Sequence, residues 1–231
     1  MIDFNSVLDS TVIHDLGLAL LVWVIGGVLF NLVRWRSIIR TGVMQAAGEG
    51  GGSGGFVAPL RILGETLGRD VFLQLDMRGC STRKWVSHLA VFWGFITLGL
   101  STTLDYVVNP AAQPLPLDHP VRILGNMGGV VFMAGLILMM HERVVTPGSR
   151  TNTSFGTVLF ITLLFAAGFT GFTTELASEF NMVLVTAVSY WTHLAVVAGM
   201  FIVAPFSKFV HVLGRALLRL FENSTHTSAR Q

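Results

Sequence analysis

The chain has 231 residues, 52% of them hydrophobic and only 12% charged, with a formal net charge of +2. A soluble domain carries about 25% charged residues, and here the apolar excess is gathered into blocks of about twenty, which excludes a soluble globular protein and indicates an integral membrane protein. The single cysteine, Cys80, excludes a disulfide within the chain and a self-contained iron–sulfur cluster.

Five spans are expected, over residues 11–33, 85–107, 123–140, 155–172 and 185–212, in an all-α bundle that forms one membrane domain over 1–231. The first block is preceded by acidic residues rather than a basic n-region, so it reads as a span and not as a signal peptide. The loop over 34–84 is basic, with Arg34, Arg36, Arg40, Arg61, Arg69, Arg78, Arg83 and Lys84. Arg143 and Arg150 follow the third block, and Lys208, Arg215, Arg219 and Arg230 follow the proline of the fifth. The intervening loops are poor in basic residues. By the positive-inside rule this alternation puts the N-terminus outside and the C-terminus in the cytoplasm.

The first cytoplasmic loop holds a glycine-rich linker at 48–55 and then an amphipathic helix at about 58–76, with apolar residues three and four apart. That helix is expected to lie on the cytoplasmic membrane face, as an anchor or as part of a docking platform for a cytoplasmic partner. The loop from Asn109 to Pro120 holds four prolines and is expected to be irregular. Gly125, Gly128, Gly129 and Gly135 make the third block rich in small residues, which let helices approach closely or make room for a flat cofactor. There is no internal repeat, no nucleotide-phosphate motif and no sign of nucleic-acid binding.

The histidines carry the chemistry. His193 and His211 lie eighteen residues apart in the fifth block. In a continuous helix that is about five turns, so the two share a face roughly 27 Å apart, close to the ~30 Å bilayer core. Ionisable residues within a span are costly and usually functional, and imidazole is a common axial ligand of haem iron. His88, one turn into the second block, lies at the depth of His211 on an antiparallel helix, as bis-imidazole ligation requires. The bland alternative is a set of interfacial histidines bonded to headgroups. A second haem at His193 would want a ligand about ten residues beyond His88, where Leu98 stands, and Leu98 cannot ligate iron. His14, on the first helix, and His119, in the proline-rich loop, are the substitutes on that side. Alternatively His119 donates to a quinone carbonyl, or His193 itself serves quinone and one haem is bound. His141 reads as an interfacial cap, and His226 as a tail residue without a role.

The run from His193 through Pro205-Phe206-Ser207-Lys208 to His211 resembles the last helix of the respiratory nitrate reductase gamma subunit family. The stretch from Phe72 to Phe95 is similar to the cytochrome b subunits that accompany heterodisulfide-reductase-like iron–sulfur proteins. The resemblance implies b-type haems between the second and fifth helices of a protein in the cytoplasmic (inner) membrane of a prokaryote. Such a subunit is non-catalytic alone or is the quinol/quinone-reactive subunit of an oxidoreductase complex; it passes electrons between quinone and the iron–sulfur clusters of a cytoplasmic partner subunit. It further implies that His88 and His211 ligate the haem nearer the cytoplasm and His193 an outer haem, and that quinone binds near Gly99, His119 and Arg122. Leu98 departs from the pattern, which has histidine there. Arg83, Lys84 and the Arg34–Arg40 cluster would offset haem propionates or bind anionic lipid, or serve as plain positive-inside anchors. The rival reading is a haem-free anchor or a small transporter. Against a transporter, the blocks hold almost no charge at mid-depth and no pair of interrupted helices.

Overall fold

The computed structural model describes residues 10–34, 67–109, 115–145 and 155–206, and every regular element among them is helical. These are α1 (Ser10–Arg34), a π-helical turn (Leu67–Phe72), α2 (Leu75–Cys80), α3 (Thr82–Val108), α4 (Pro120–Val145), α5 (Phe155–Glu179), α6 (Val183–Val203) and a 3-10 turn (Ala204–Phe206). Four of them, α3 to α6, are long and apolar enough to cross a membrane. The chain is a multi-pass membrane protein. In α1 the shorter stretch Asp15–Asn31 is apolar.

Local chemistry sets the helix ends. Ser81, in an extended conformation, accepts a hydrogen bond from the Lys84 N–H and starts α3. Pro120 opens α4, where its missing N–H costs nothing, and the His119 ring Nδ1 accepts from the Val121 N–H at 3.3 Å. Asn181, at φ 53, ends α5. The Met182 N–H reaches back to the Ala177 carbonyl at 2.9 Å, which closes a Schellman turn and folds α5 tightly onto α6.

Two hairpins result, α3 with α4 and α5 with α6, and they meet along α4 and α5 over a smaller contact. The first hairpin is drawn close by glycine. A Cβ on Gly94 would sit 2.6 Å from the Phe132 backbone nitrogen, and one on Gly135 would sit 2.7 Å from the Val91 nitrogen. The backbones therefore touch where lipid offers no hydrophobic drive of its own. We expect Gly94→Ala to push α3 from α4 and destabilise the protein by about 1–3 kcal/mol, read as a lower melting temperature in detergent; an unchanged melt would contradict this packing. The shared core is Phe132 and Leu136 of α4, Leu164 of α5 and Met200 of α6, with Val91, Phe95 and Leu98 of α3 packed against it.

The segment before α3 differs from the single amphipathic helix expected over 58–76. Residues 58–66 lie outside the described part. The remainder is the π-helical turn and α2, broken at Leu73–Gln74, where Gln74 takes φ 48. That break interrupts the backbone ladder, and α3 supplies the missing donors. Trp93 Nε1 donates to the Phe72 carbonyl at 3.2 Å and Trp85 Nε1 to the Leu73 carbonyl at 2.8 Å. Phe72 packs its ring on Phe92 and Trp93, and the Arg78 guanidinium lies over the Trp85 ring. The segment is thus folded down along α3, as its aromatic residues favour.

Candidate cofactor site at His193

His193 lies near the middle of α6 and faces α5. Its Nδ1 is 3.0 Å from the Ala167 carbonyl and 3.1 Å from the Thr170 hydroxyl oxygen. The Thr170 hydroxyl donates its own hydrogen to the Ala166 carbonyl at 2.7 Å, so its lone pair is turned to the ring. A carbonyl oxygen only accepts. Nδ1 therefore carries a proton, and in the neutral ring Nε2 presents a lone pair. A metal-ligating histidine is oriented in this way, by a carbonyl partner on its other nitrogen. Gly171, next along α5, leaves room for the ring: a Cβ there would lie 3.2 Å from His193 Cε1.

Around the ring the α5–α6 seam is lined with small hydroxyls. Thr174 donates to Ser189 at 3.0 Å, and Ser189 to the Thr186 carbonyl at 3.2 Å. Thr174, Ser178, Thr186 and Ser189 are all buried. Such bonds tie helices together in lipid.

A chain of close contacts fixes the depth of His193. A Cβ on Gly128 would meet the Thr97 side chain and the Leu98 nitrogen, one on Gly129 the Phe172 ring, and one on Gly171 the His193 ring. These contacts cross α3, α4, α5 and α6 at one level. Leu98 is therefore level with His193 and packs against the apolar core. His88 precedes Val91, Phe95 and Leu98 by three, seven and ten residues and shares their inward face on α3. It is half-buried.

The remaining expected site residues divide. His211, with His226, lies outside the described residues. The five-turn phase between His193 and His211 assumes an unbroken helix, whereas α6 tightens into a 3-10 turn at Ala204–Phe206, around Pro205. Residue 14 belongs to α1, its side chain outside the described part. α1 runs parallel to α6: Trp23 Nε1 donates to the Ile202 carbonyl at 3.1 Å, and Asn31 Nδ2 to the Pro205 carbonyl at 3.1 Å. Trp23 and Ile202 are 179 residues apart, and the same separation carries residue 14 to the level of His193. Yet residue 14 is ~2.5 turns from Trp23, so its Cα lies on the side of α1 away from that contact.

Of the three residues expected near quinone, His119 and Arg122 have local structural roles. His119 caps α4. Gly99 is exposed, with open space where a side chain would be. Arg122 is held in an ion cluster that sequence reasoning missed. Its Nε donates to Glu175 at 2.9 Å, one terminal nitrogen to Glu179, and the other to the Leu115 carbonyl at 2.7 Å. Asn126 adds a bond to Glu175 at 2.9 Å. Two glutamates one turn apart at the end of an apolar helix, facing an arginine and an asparagine one turn apart on the next, were the available signal. His141, at the other end of α4, is exposed beside Arg83 and Glu142.

Among the described residues no three His, Cys, Asp or Glu side chains gather to hold a metal ion; a bis-imidazole haem asks for two ligands. No family model matches the chain, nor does any curated protein or solved structure.

Proposed function

We propose that the chain is a membrane cytochrome b subunit that carries electrons between the quinone pool and an iron–sulfur partner subunit at the cytoplasmic face. In this reading α1 is the fifth span, the N-terminus is outside, and the protein sits in the inner membrane of a prokaryote. It resembles the nitrate reductase gamma and heterodisulfide-reductase-associated cytochromes. The observation that carries the proposal is the locked His193 ring, whose Nδ1 proton is held by Ala167 and Thr170 and whose Nε2 is left as the donor.

Haem b supplies one-electron redox chemistry, and the protein sets its potential through ligands, burial and hydrogen bonds. His193 would hold one haem. His88, on the inward face of α3, would hold another together with His211. The Ala167 carbonyl and Thr170 hydroxyl raise the basicity of the His193 ring and fix its plane. The apolar core of Phe132, Leu136, Leu164 and Met200 would keep water from the path between the haems.

The test is the haem-to-protein ratio by pyridine haemochrome in wild type, His88→Ala and His193→Ala. A ratio of about two that falls to about one in each variant is expected of two ligated haems. A ratio of about one that is unchanged by His193→Ala would move His193 to the quinone site. Folded protein without haem would overturn the cytochrome reading in favour of an anchor or transporter.

A further inference from the structure

A groove of about 360 Å³ opens between the first turn of α3 and the last turns of α4, lined by Thr82, Arg83, Val86, Leu138, His141 and Glu142. The groove is polar at the helix ends and apolar one turn further in. Val86 lies one turn beyond Thr82 on α3, and Leu138 one turn before Glu142 on α4, so both apolar side chains are on the membrane side of their polar neighbours. Val86 is 42% and Leu138 47% exposed, although both sit on spanning helices. At the polar end Arg83 and Glu142 stand side by side at 3.7 Å, with the arginine side chain 81% exposed and the glutamate 16%. That separation is longer than a direct charged hydrogen bond, and the arginine half of the pair is open to its surroundings while the glutamate is largely covered. The start of α3 contributes the positive end of its helix dipole at the same place.

Two opposite charges side by side over an apolar notch at the end of a span match one kind of molecule. We propose that this groove holds a phospholipid whose headgroup ends in a primary ammonium. The phosphate lies on Arg83 and the Thr82 hydroxyl, the ammonium donates to Glu142, and one acyl chain covers Val86 and Leu138. A purely anionic headgroup would leave its negative charge against Glu142. A quaternary ammonium has no N–H to give a carboxylate and is held best by the faces of Trp, Tyr or Phe, and among the described residues none of these lines the groove. The proposal does not depend on haem.

The full chain, purified in detergent, is incubated with vesicles of equal parts phosphatidylethanolamine, phosphatidylcholine and phosphatidylglycerol, and the lipid it retains is measured by mass spectrometry. Phosphatidylethanolamine should be enriched over each of the others by about fivefold, the effect of a single favourable charge at an interface. Glu142→Gln and Arg83→Gln should abolish the enrichment, and Arg83→Lys should keep it. Leu138→Trp, which fills the notch and leaves both charges, should abolish it as well, with an unchanged circular dichroism spectrum as the folding control. Equal retention of the three lipids by wild type, preference for phosphatidylglycerol, or enrichment that survives both Glu142→Gln and Leu138→Trp would each overturn the proposal.

Discussion

Arg122→Ala is expected to destabilise the protein by about 3 kcal/mol, the low end of the range for removing one partner of a buried ion pair. The low end applies because the Glu175 and Glu179 side chains keep 28% and 27% of their exposure while Arg122 keeps 14%. The variant loses more than a bridge. It leaves two carboxylates one turn apart without their shared cation, at the point where the two hairpins meet, and it frees the Leu115 carbonyl that holds the chain entering α4. Most of the loss should come from the stranded charge. Adding Glu175→Gln and Glu179→Gln to Arg122→Ala should therefore recover part of the stability. The check is thermal unfolding in detergent of wild type, single and triple variants. A single variant that melts with wild type would mean the cluster does not join α4 to α5, and a triple variant no better than the single would mean the bridge itself, and not the orphaned charge, is what matters.

The second large effect is expected at Gly171. A methyl group there would already meet the His193 ring at 3.2 Å, and the branched side chain of Gly171→Val would force the ring off the Ala167 carbonyl. If His193 holds haem as proposed, Gly171→Val should lose as much haem as His193→Ala. Thr170→Val is subtler. It keeps the shape of the side chain and removes the hydroxyl that faces Nδ1, so haem should be held about 10–100-fold more weakly. The midpoint potential of the remaining haem should shift, and Thr170→Ser should restore both. Redox titration followed in the α band separates these variants. Wild-type haem content and potential in both valine variants would remove α5 from the site.

Which parts of this were legible in the sequence follows from what each part depends on. Four of the five expected spans were, because hydropathy decides them: the block at 85–107 became Thr82–Val108 and that at 123–140 became Pro120–Val145. The end of α5 was not. The expected span stops at 172 and the helix runs to Glu179, because Arg122 neutralises the two glutamates that hydropathy counts against a membrane helix. The fifth block reads as one continuous helix, whereas α6 tightens at Ala204–Phe206, and the sequence does not say what bonds the carbonyls there. Trp23 and Asn31, far away on α1, donate to those of Ile202 and Pro205. At the candidate site, His193 was visible as a histidine in an apolar segment. Its orientation was not, since Ala167 acts through its backbone and Thr170 is one hydroxyl among many. Long-range partners of this kind leave no periodic trace.

The tie between α1 and α6 also sets the order in which the molecule can be completed. The Trp23 indole and the Ile202 carbonyl are separated by 179 residues, and Gly27 is shaped to receive Pro205, which a Cβ would meet at 2.3 Å. At a ribosomal rate of about 5–20 residues per second, α1 waits roughly 10–35 s before the segment it packs on has been made. During that interval the Asn31 amide lacks the Pro205 carbonyl and keeps the bond within its own helix, to the Gly27 carbonyl. The earliest helix is thus the last to find its place, and a chain halted short of Ile202 would leave it without the segment it packs on.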